Sequence, residues 1–175
     1  PQPAAYATLQ VKCTELRIAL AALQTVVDAH FDVYALDLVV EESTGAAPTY
    51  QLLVRLGGAP TLLRARVDQL RAIIGAAAAT GEMLVEAAEA ALWTTVREFA
   101  WAPQDAALVK VATTIGQLGS LEGAFAAQGL LRRYAVGGNL LWLAWPSDLS
   151  TLDRLLRQQG VSGLVVRGQS SQPYL

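Results

Sequence analysis

The most constraining feature of this chain is that one order of strands and helices occurs in it twice. Residues 6–75 and 107–168 each follow the pattern strand, helix, strand, strand, helix. Residues 6–12 alternate apolar and polar side chains, as half-buried strands do. In both copies an apolar strand leads directly into a helix start, at Pro60 in the first and at Ser147 in the second. The two stretches can be laid over one another, which leaves few possible folds.

A repeated unit of this kind is typical of ferredoxin-like domains. We therefore predict an α+β fold in which both repeats share one mainly antiparallel sheet of seven or eight strands, with the long helices on one face. Repeat one covers about 6–75, a linker with an extra helix covers 76–104, and repeat two covers about 105–168. Residues 1–175 then form a single domain. The other face of the sheet is left free for a partner, and function is expected there.

Local signals refine this outline. Thr14 is placed to cap the first long helix, and Asp148 or Ser147 the last one. Gly137-Gly138 between two strands predicts a two-residue hairpin turn. Residues 42–48 predict a hairpin-like loop, and residues 86–99 an extra helix between the repeats.

Composition excludes several classes of protein. The chain is 53% hydrophobic and only 16% charged, so it can bury a core and is apolar enough that some surface is expected to be covered. A net charge of −2 gives no electrostatic footprint for nucleic acid. One cysteine excludes an internal disulfide framework and fits a reducing, cytoplasmic compartment. No apolar run reaches the roughly 18 residues of a membrane span. Because the chain opens at Pro1 without methionine, we expect it to be a piece of a longer protein.

Few side chains are candidates for chemistry. His30, the single histidine, has no partners at the spacing of a metal site or a catalytic triad. Cys13 beside a strand end is better explained as a small buried residue than as a catalytic thiol. The glycine pairs Gly57-Gly58 and Gly137-Gly138 match no phosphate-binding loop. We therefore predict no metal site and no cofactor-binding segment, and the catalytic residues are left unidentified.

Cations on the strands form the one suggestive pattern. Alternate residues of a strand share a face, so several cations could project among apolar residues from the face that the helices leave free, and the adjacent Arg132 and Arg133 must point to opposite sides. Two interpretations stay open, a solvated sheet face and a face that meets an anionic ligand or a partner domain holding one. The candidates for binding a substrate carboxylate, with Arg55 ranked first, are Arg55, Arg133, Arg132, Lys110 and Lys12.

Several segments resemble FAD-linked oxidases. Residues 31–40 are similar to the family's "P-x-A-L-E-L-L" strand entry, and residues 50–58 resemble its "Y-x-L-L-V-R-F-E-G" strand. Residues 86–93 are similar to its "E-x-E-x-x-L-W" segment. In the second repeat, residues 108–111 and 137–143 resemble the glycolate oxidase FAD-binding subunit. The order and spacing of these segments carry the resemblance.

In that family, of the vanillyl-alcohol-oxidase type, an N-terminal FAD domain is followed by a C-terminal cap over the flavin. The resemblance spans residues 6–167 and matches the cap only, so the FAD domain is expected to be absent from this chain. It implies a cap for a flavin-dependent oxidoreductase that acts on a small 2-hydroxy acid such as glycolate. FAD would belong to the full-length protein, and the fragment would be inactive alone.

The partners that the resemblance implies are the chain's own FAD domain and other oxidase subunits, including an iron–sulfur protein. Attachment to a membrane through those subunits is the alternative to a purely cytoplasmic location. The competing function is a non-catalytic ferredoxin-like regulatory or assembly module that binds a small molecule or a partner subunit. Fold alone does not choose between an enzyme and a module.

Overall fold

The computed structural model describes residues 2–42, 47–78, 80–125, 128–168 and 173–175. The strands are β1 (Ala5–Cys13), β2 (Ala35–Glu41), β3 (Thr49–Gly58), β4 (Glu82–Val85), β5 (Ala107–Ala112), β6 (Arg132–Ala135), β7 (Leu140–Trp145) and β8 (Gly163–Arg167). The helices are α1 (Leu16–Asp28), α2 (Pro60–Ile74), α3 (Glu86–Arg97), α4 (Ile115–Phe125) and α5 (Leu149–Gln158), with short 3-10 turns at Gly75–Ala78 and Val136–Gly138. None of these helices is long and apolar enough to cross a membrane.

All eight described strands form one antiparallel sheet, in the order β4-β1-β3-β2-β6-β7-β5-β8. The two halves of this order mirror each other, and they meet where β2 pairs with β6. The predicted α+β fold with one antiparallel sheet is confirmed. Strand β4 lies beside β1 in the first half of the sheet, just as β8 lies beside β5 in the second half. The sequence interpretation had assigned these residues to the segment between the repeats, so the position of β4 differs from the prediction.

The main core lies between one face of the sheet and four helices. Alternate residues of β1, such as Leu9 and Val11, are fully buried there. Helical spacing brings Leu63, Val67 and Leu70 of α2 onto one stripe, and the same core includes apolar residues of α1, α4 and α5. Because this cluster spans both repeats without a break, the two halves form one packed unit.

The opposite face is not free of helices, which corrects the prediction. Thr8 points away from the main core, and its side chain donates a hydrogen bond to Glu89 Oε1 (3.3 Å) and accepts one from Trp93 Nε1 (2.8 Å). Helix α3 therefore lies across the second face of β1. Beyond it, Ala102 and Ala106 pack onto the same side of β5 and β7, in a second small core. The segment that links the repeats thus covers part of the face expected to be open.

Two local predictions differ from the structure. Helix α1 begins one residue later than a Thr14 cap would place it, with Glu15 at the N-cap and no capping side chain. The β6–β7 turn holds four residues, 136–139, because Ala135 pairs with Leu140. Asp148 does stand at the N-cap of α5. The centre of the predicted 42–48 loop, residues 43–46, lies outside the described residues.

Candidate functional site

The side of the sheet on which α3 lies, here called the α3 face, carries four of the five predicted cations. Arg55 pairs with Thr8 across β3 and β1, so both project to this side. Lys12 shares the side with Thr8 by alternation along β1. In the second half, Arg133 and Lys110 both lie opposite Trp142. The register therefore gathers these cations on one face, as the strand patterns predicted.

Arg55, ranked first from the sequence, is already occupied by a carboxylate of α3. Its Nε donates to Glu89 Oε1 at 2.7 Å and its Nη2 to Glu89 Oε2 at 3.2 Å. The guanidinium also lies over the ring of Tyr6, 3.9 Å from the centroid. This bidentate pair fixes α3 to the sheet, and it leaves Arg55 little capacity for a second anion. Its role in substrate binding stays a prediction.

Arg133 is buried on the α3 face, where its guanidinium carbon lies 5.8 Å from the centre of the Trp93 ring. The residue is only 5% exposed, and its Nε donates to Asp37 Oδ2 at 2.8 Å. Its Nη2 is also buried, yet has no hydrogen-bond partner among the described residues. Burial raises the pKa of Asp37, and the charge and hydrogen bond of Arg133 oppose that rise. The pair neutralises the charge of Arg133 but leaves part of its donor capacity unused.

A crevice of about 290 Å³ opens at the junction of β2 and β6, and both Arg132 and Arg133 are among the residues that line it. We call it the Trp101 crevice, since Trp101 of the covering segment and Arg133 both line it, with Val39 and Leu131 as apolar walls. Trp101 Nε1 is buried and, like Arg133 Nη2, lacks a partner among the described residues. Buried donors are nearly always satisfied by protein, water or ligand. Both nitrogen atoms are enclosed by protein and do not reach the open space of the crevice.

Lys12 and Lys110 are both exposed on the α3 face. Lys110 Nζ lies 5.8 Å from the centre of the Trp142 ring, within the range of a cation–π contact. Neither lysine is enclosed, so each provides a positive charge at the surface rather than a shaped pocket.

Arg132 projects to the other side, into the main core. Its Nε and Nη2 donate to the two carboxylate oxygens of Glu122 at 2.7 and 2.6 Å, and its Nη1 donates to Glu42 and to the carbonyl of Leu130. Tyr134 donates its hydroxyl hydrogen to Glu122 at 2.7 Å. Burial would lower the pKa of Arg132, but its hydrogen bonds to the carboxylates of Glu122 and Glu42, and their negative charges, raise the pKa above its usual value. This arginine is held within a satisfied structural network and does not reach the α3 face.

The sequence interpretation missed three residues that shape the site: Asp37, Glu89 and Trp101. A signal existed for Asp37, because a carboxylate in the middle of the apolar run 35–40 needs a buried cation as partner. Glu89 lies one helical turn before Trp93, which marks a buried stripe on α3. Nothing in the local sequence brings Trp101 to the crevice that Arg133 also lines. Among the described residues, no cluster of three or more His, Cys, Asp or Glu could hold a metal ion.

Comparisons with known proteins bear on the fold. No protein-family model matches the chain, and no curated protein matches its sequence. Among solved structures, an alkyldihydroxyacetonephosphate synthase matches with a TM-score of 0.53 and 13% identity, over 95% of this chain and 40% of that one. A protein described as a chlorite dismutase matches with a TM-score of 0.28 and 10% identity, over 89% of this chain and 85% of that one, which is too low to argue from. The chain therefore has the fold of one part of the synthase, and spans well under half of its length.

Proposed function

We propose that this chain is the substrate-side cap domain of an FAD-dependent oxidoreductase, completed by a flavin domain outside residues 1–175. Its substrate in this proposal is a small 2-hydroxy acid such as glycolate, and the chain is inactive alone. The observation that carries the proposal is the match to part of an enzyme of the FAD-linked oxidase family, over 95% of this chain. The resemblance of residues 31–40, 50–58 and 86–93 to the same family supports it independently.

Gly57 and Gly138 do not offer the open backbone that the pyrophosphate of FAD needs. Such cofactors are held by glycine-rich turns whose backbone N–H groups stay open to the phosphates. Here a Cβ added at Gly57 would lie 2.6 Å from both Pro3 and Tyr34, and one at Gly138 would lie 3.0 Å from Ile115. These glycines allow close packing within the chain. In this proposal the flavin is held by the separate domain outside residues 1–175.

The α3 face is the surface that we expect to turn toward the flavin domain. A 2-hydroxy acid carries a carboxylate, which needs a cation, and low water content strengthens such a contact. Lys110 and Lys12 are exposed on this face, whereas Arg55, Arg132 and Arg133 are each bound by carboxylates of this chain. In this proposal the exposed lysines therefore come ahead of the paired arginines as partners for the substrate carboxylate. Iron–sulfur and other subunits remain predicted partners.

The test compares the full-length protein, including its upstream region, with residues 1–175. We expect the full-length protein to keep flavin absorbance after desalting and to reduce an electron acceptor when glycolate is added, while residues 1–175 do neither. In the full-length protein, Lys110→Met should lower kcat/KM about tenfold through lost electrostatic binding. Arg154→Met, an exposed cation on α5, is the matched control and should change nothing.

Two outcomes would reject the cap proposal. One is an open reading frame that starts directly before Pro1, and the other is a full-length protein that binds no flavin. Either would favour the regulatory or assembly module instead. If the full-length enzyme binds flavin but does not oxidise glycolate, the proposed substrate is wrong and the proposed cap function still stands.

A further inference from the structure

Helix α3 is attached to the sheet in a different way from the other four helices. None of its residues, all of which the structure describes, belongs to the main core, to which α1, α2, α4 and α5 contribute buried apolar side chains. Within α3 the buried side chains are Glu89 and Trp93, and both make polar contacts with the sheet. The polar contacts described between α3 and the sheet are therefore the Arg55–Glu89 ion pair and the two hydrogen bonds of Thr8.

This polar attachment makes the release of α3 less costly than the release of a core helix. Exposing apolar surface costs about 25 cal/mol per Å². Separated charges regain their hydration, which offsets much of the attraction lost between Arg55 and Glu89. Elements with few buried apolar contacts open locally at free energies below that of global unfolding. These terms favour an opening of α3 in which the main core stays folded.

The backbone near both ends of α3 is in the left-handed region. Glu86, the first residue of the helix, has a φ of 51°, and Phe99, two residues after its last one, has a φ of 53°. A residue other than glycine in this region is strained by roughly 1–3 kcal/mol, and rotation of the backbone relieves the strain. Two such positions on either side of one helix are suited to act as its hinges.

Beneath α3 the sheet forms a carboxylate site whose occupant is Glu89. Arg55 donates from Nε and Nη2 to the two carboxylate oxygens at 2.7 and 3.2 Å, and Thr8 donates its hydroxyl hydrogen to Oε1 at 3.3 Å. The guanidinium also lies 3.9 Å from the centre of the Tyr6 ring. Arg55, Thr8 and Tyr6 belong to β3 and β1, so they stay in place when α3 leaves. The forked guanidinium matches carboxylates in general, and an external one can replace Glu89.

We propose that α3 is a lid hinged at Glu86 and Phe99, and that its opening exposes a carboxylate-binding site formed by Arg55 and Thr8. Glu89 occupies this site in the closed state and competes with external carboxylates. Because an external carboxylate binds the open state only, it shifts the equilibrium toward that state. The lid goes beyond the cap proposal and does not depend on it, since no flavin enters the argument.

The first experiment measures amide hydrogen exchange of residues 1–175 by mass spectrometry. Residues 87–97 should exchange through local opening, at least about tenfold faster than the most protected amides of α2 in the main core. Glu89→Ala removes the carboxylate that holds the lid and should speed the exchange of α3 at least about fivefold. Glu98→Ala, which removes an exposed carboxylate paired with Arg97, is the matched control and should leave the exchange unchanged.

The second experiment repeats the measurement in sodium acetate and in sodium chloride at equal concentration. If acetate binds the open state with a Kd of about 10 mM, about 100 mM acetate raises the open population about tenfold. The amides of α3 should then exchange about tenfold faster in acetate than in chloride, and those of α2 at the same rate in both. Arg55→Lys keeps a positive charge but loses the fork, and should remove most of the acetate effect.

A second measurement covers the case in which Arg55→Lys fails to fold. Glu89→Ala leaves Arg55 and Thr8 in place without their occupant, so acetate binds without competition. The indole N–H of Trp93, which donates to Thr8 at 2.8 Å, reports on this site by NMR, and Trp93→Phe assigns its signal. In Glu89→Ala this signal should shift saturably, at acetate concentrations at least about tenfold below those that shift it in the parent chain.

Distinct results would overturn each part of the proposal. If the amides of α3 exchange as slowly as those of α2, the helix opens only with the whole protein and is not a lid. If acetate acts no differently from chloride, or acts equally on Arg55→Lys, the carboxylate site is wrong. A full-length protein that binds no flavin would reject the cap proposal and leave the lid, because every measurement on the lid uses residues 1–175 alone.

Discussion

Arg132 and Arg133 are neighbours in β6, both are almost fully buried, and they differ in nearly everything else. Arg132 faces the main core, where α4 brings Glu122 against it and every nitrogen of the guanidinium donates a hydrogen bond. Arg133 faces α3 and the covering segment, where Asp37 takes one donor and another is left unpaired among the described residues. Burial of an arginine therefore does not by itself indicate function. The balance between its donors and the acceptors around it is the more informative quantity.

The difference arises from what covers each side of the sheet. The core side is closed by four amphipathic helices, and one of them carries an inward carboxylate at a position that meets Arg132. The other side is covered by one helix, whose Trp93 ring lies 5.8 Å from the guanidinium carbon of Arg133, and by an irregular segment that carries Trp101. A structural ion pair is built where helices pack closely, and a partly satisfied cation remains where the covering is thinner.

The largest effect is expected from breaking the satisfied network. Glu122→Gln removes the charge that meets Arg132 and leaves a guanidinium with 0% side-chain exposure dependent on Glu42. Breaking a buried pair from one side costs about 3–5 kcal/mol, so the free energy of unfolding in urea should fall by that amount. Asp153→Asn, in the exposed pair with Arg157, is the control and should have no measurable effect. A loss below about 1 kcal/mol would mean that Glu42 alone compensates for Arg132.

A smaller effect is expected on the other side of the strand. Asp37→Asn keeps an oxygen that can accept from Arg133 Nε, and burial already disfavours the charge that the substitution removes. We expect the free energy of unfolding to fall by about 1–3 kcal/mol, measured by the same urea titration. If this variant lost as much stability as Glu122→Gln, the two arginines would be energetically equivalent despite their different acceptors.

The smallest effect is a change of stability with pH. Burial raises the pKa of Asp37 in the folded protein above its value in the unfolded chain, about 3.9, so the folded state binds this proton more tightly. The contribution of Asp37 to stability is then fully present below about pH 4 and is lost as the pH rises through the folded-state pKa. The stability of the parent chain minus that of Asp37→Asn should decrease across this window. A difference that increased with pH would show that Arg133 outweighs burial.

Much of the fold follows from short-range pattern. The alternation of residues 6–12 and the helical stripe of α2 are properties of neighbouring residues, and they predict which side of each element meets the core. The same alternation placed Arg132 and Arg133 on opposite faces, as the structure has them. The exceptions are local too: the turn at Gly137-Gly138 is longer than predicted because strand register, rather than the glycine pair, decides where pairing ends.

The sequence by itself determined the repeat, the antiparallel sheet and the placement of Arg132 and Arg133 on opposite faces, because these depend on periodicity within a few residues. Only the tertiary structure decided which cations are free. Arg55 meets a carboxylate 34 residues away and Arg133 one that is 96 residues away, and α3 crosses a face that the pattern had left open. Such pairings depend on how separate helices and strands pack against each other. Packing selects partners by shape and burial, and the partners are too far apart along the chain for a local sequence pattern to predict them.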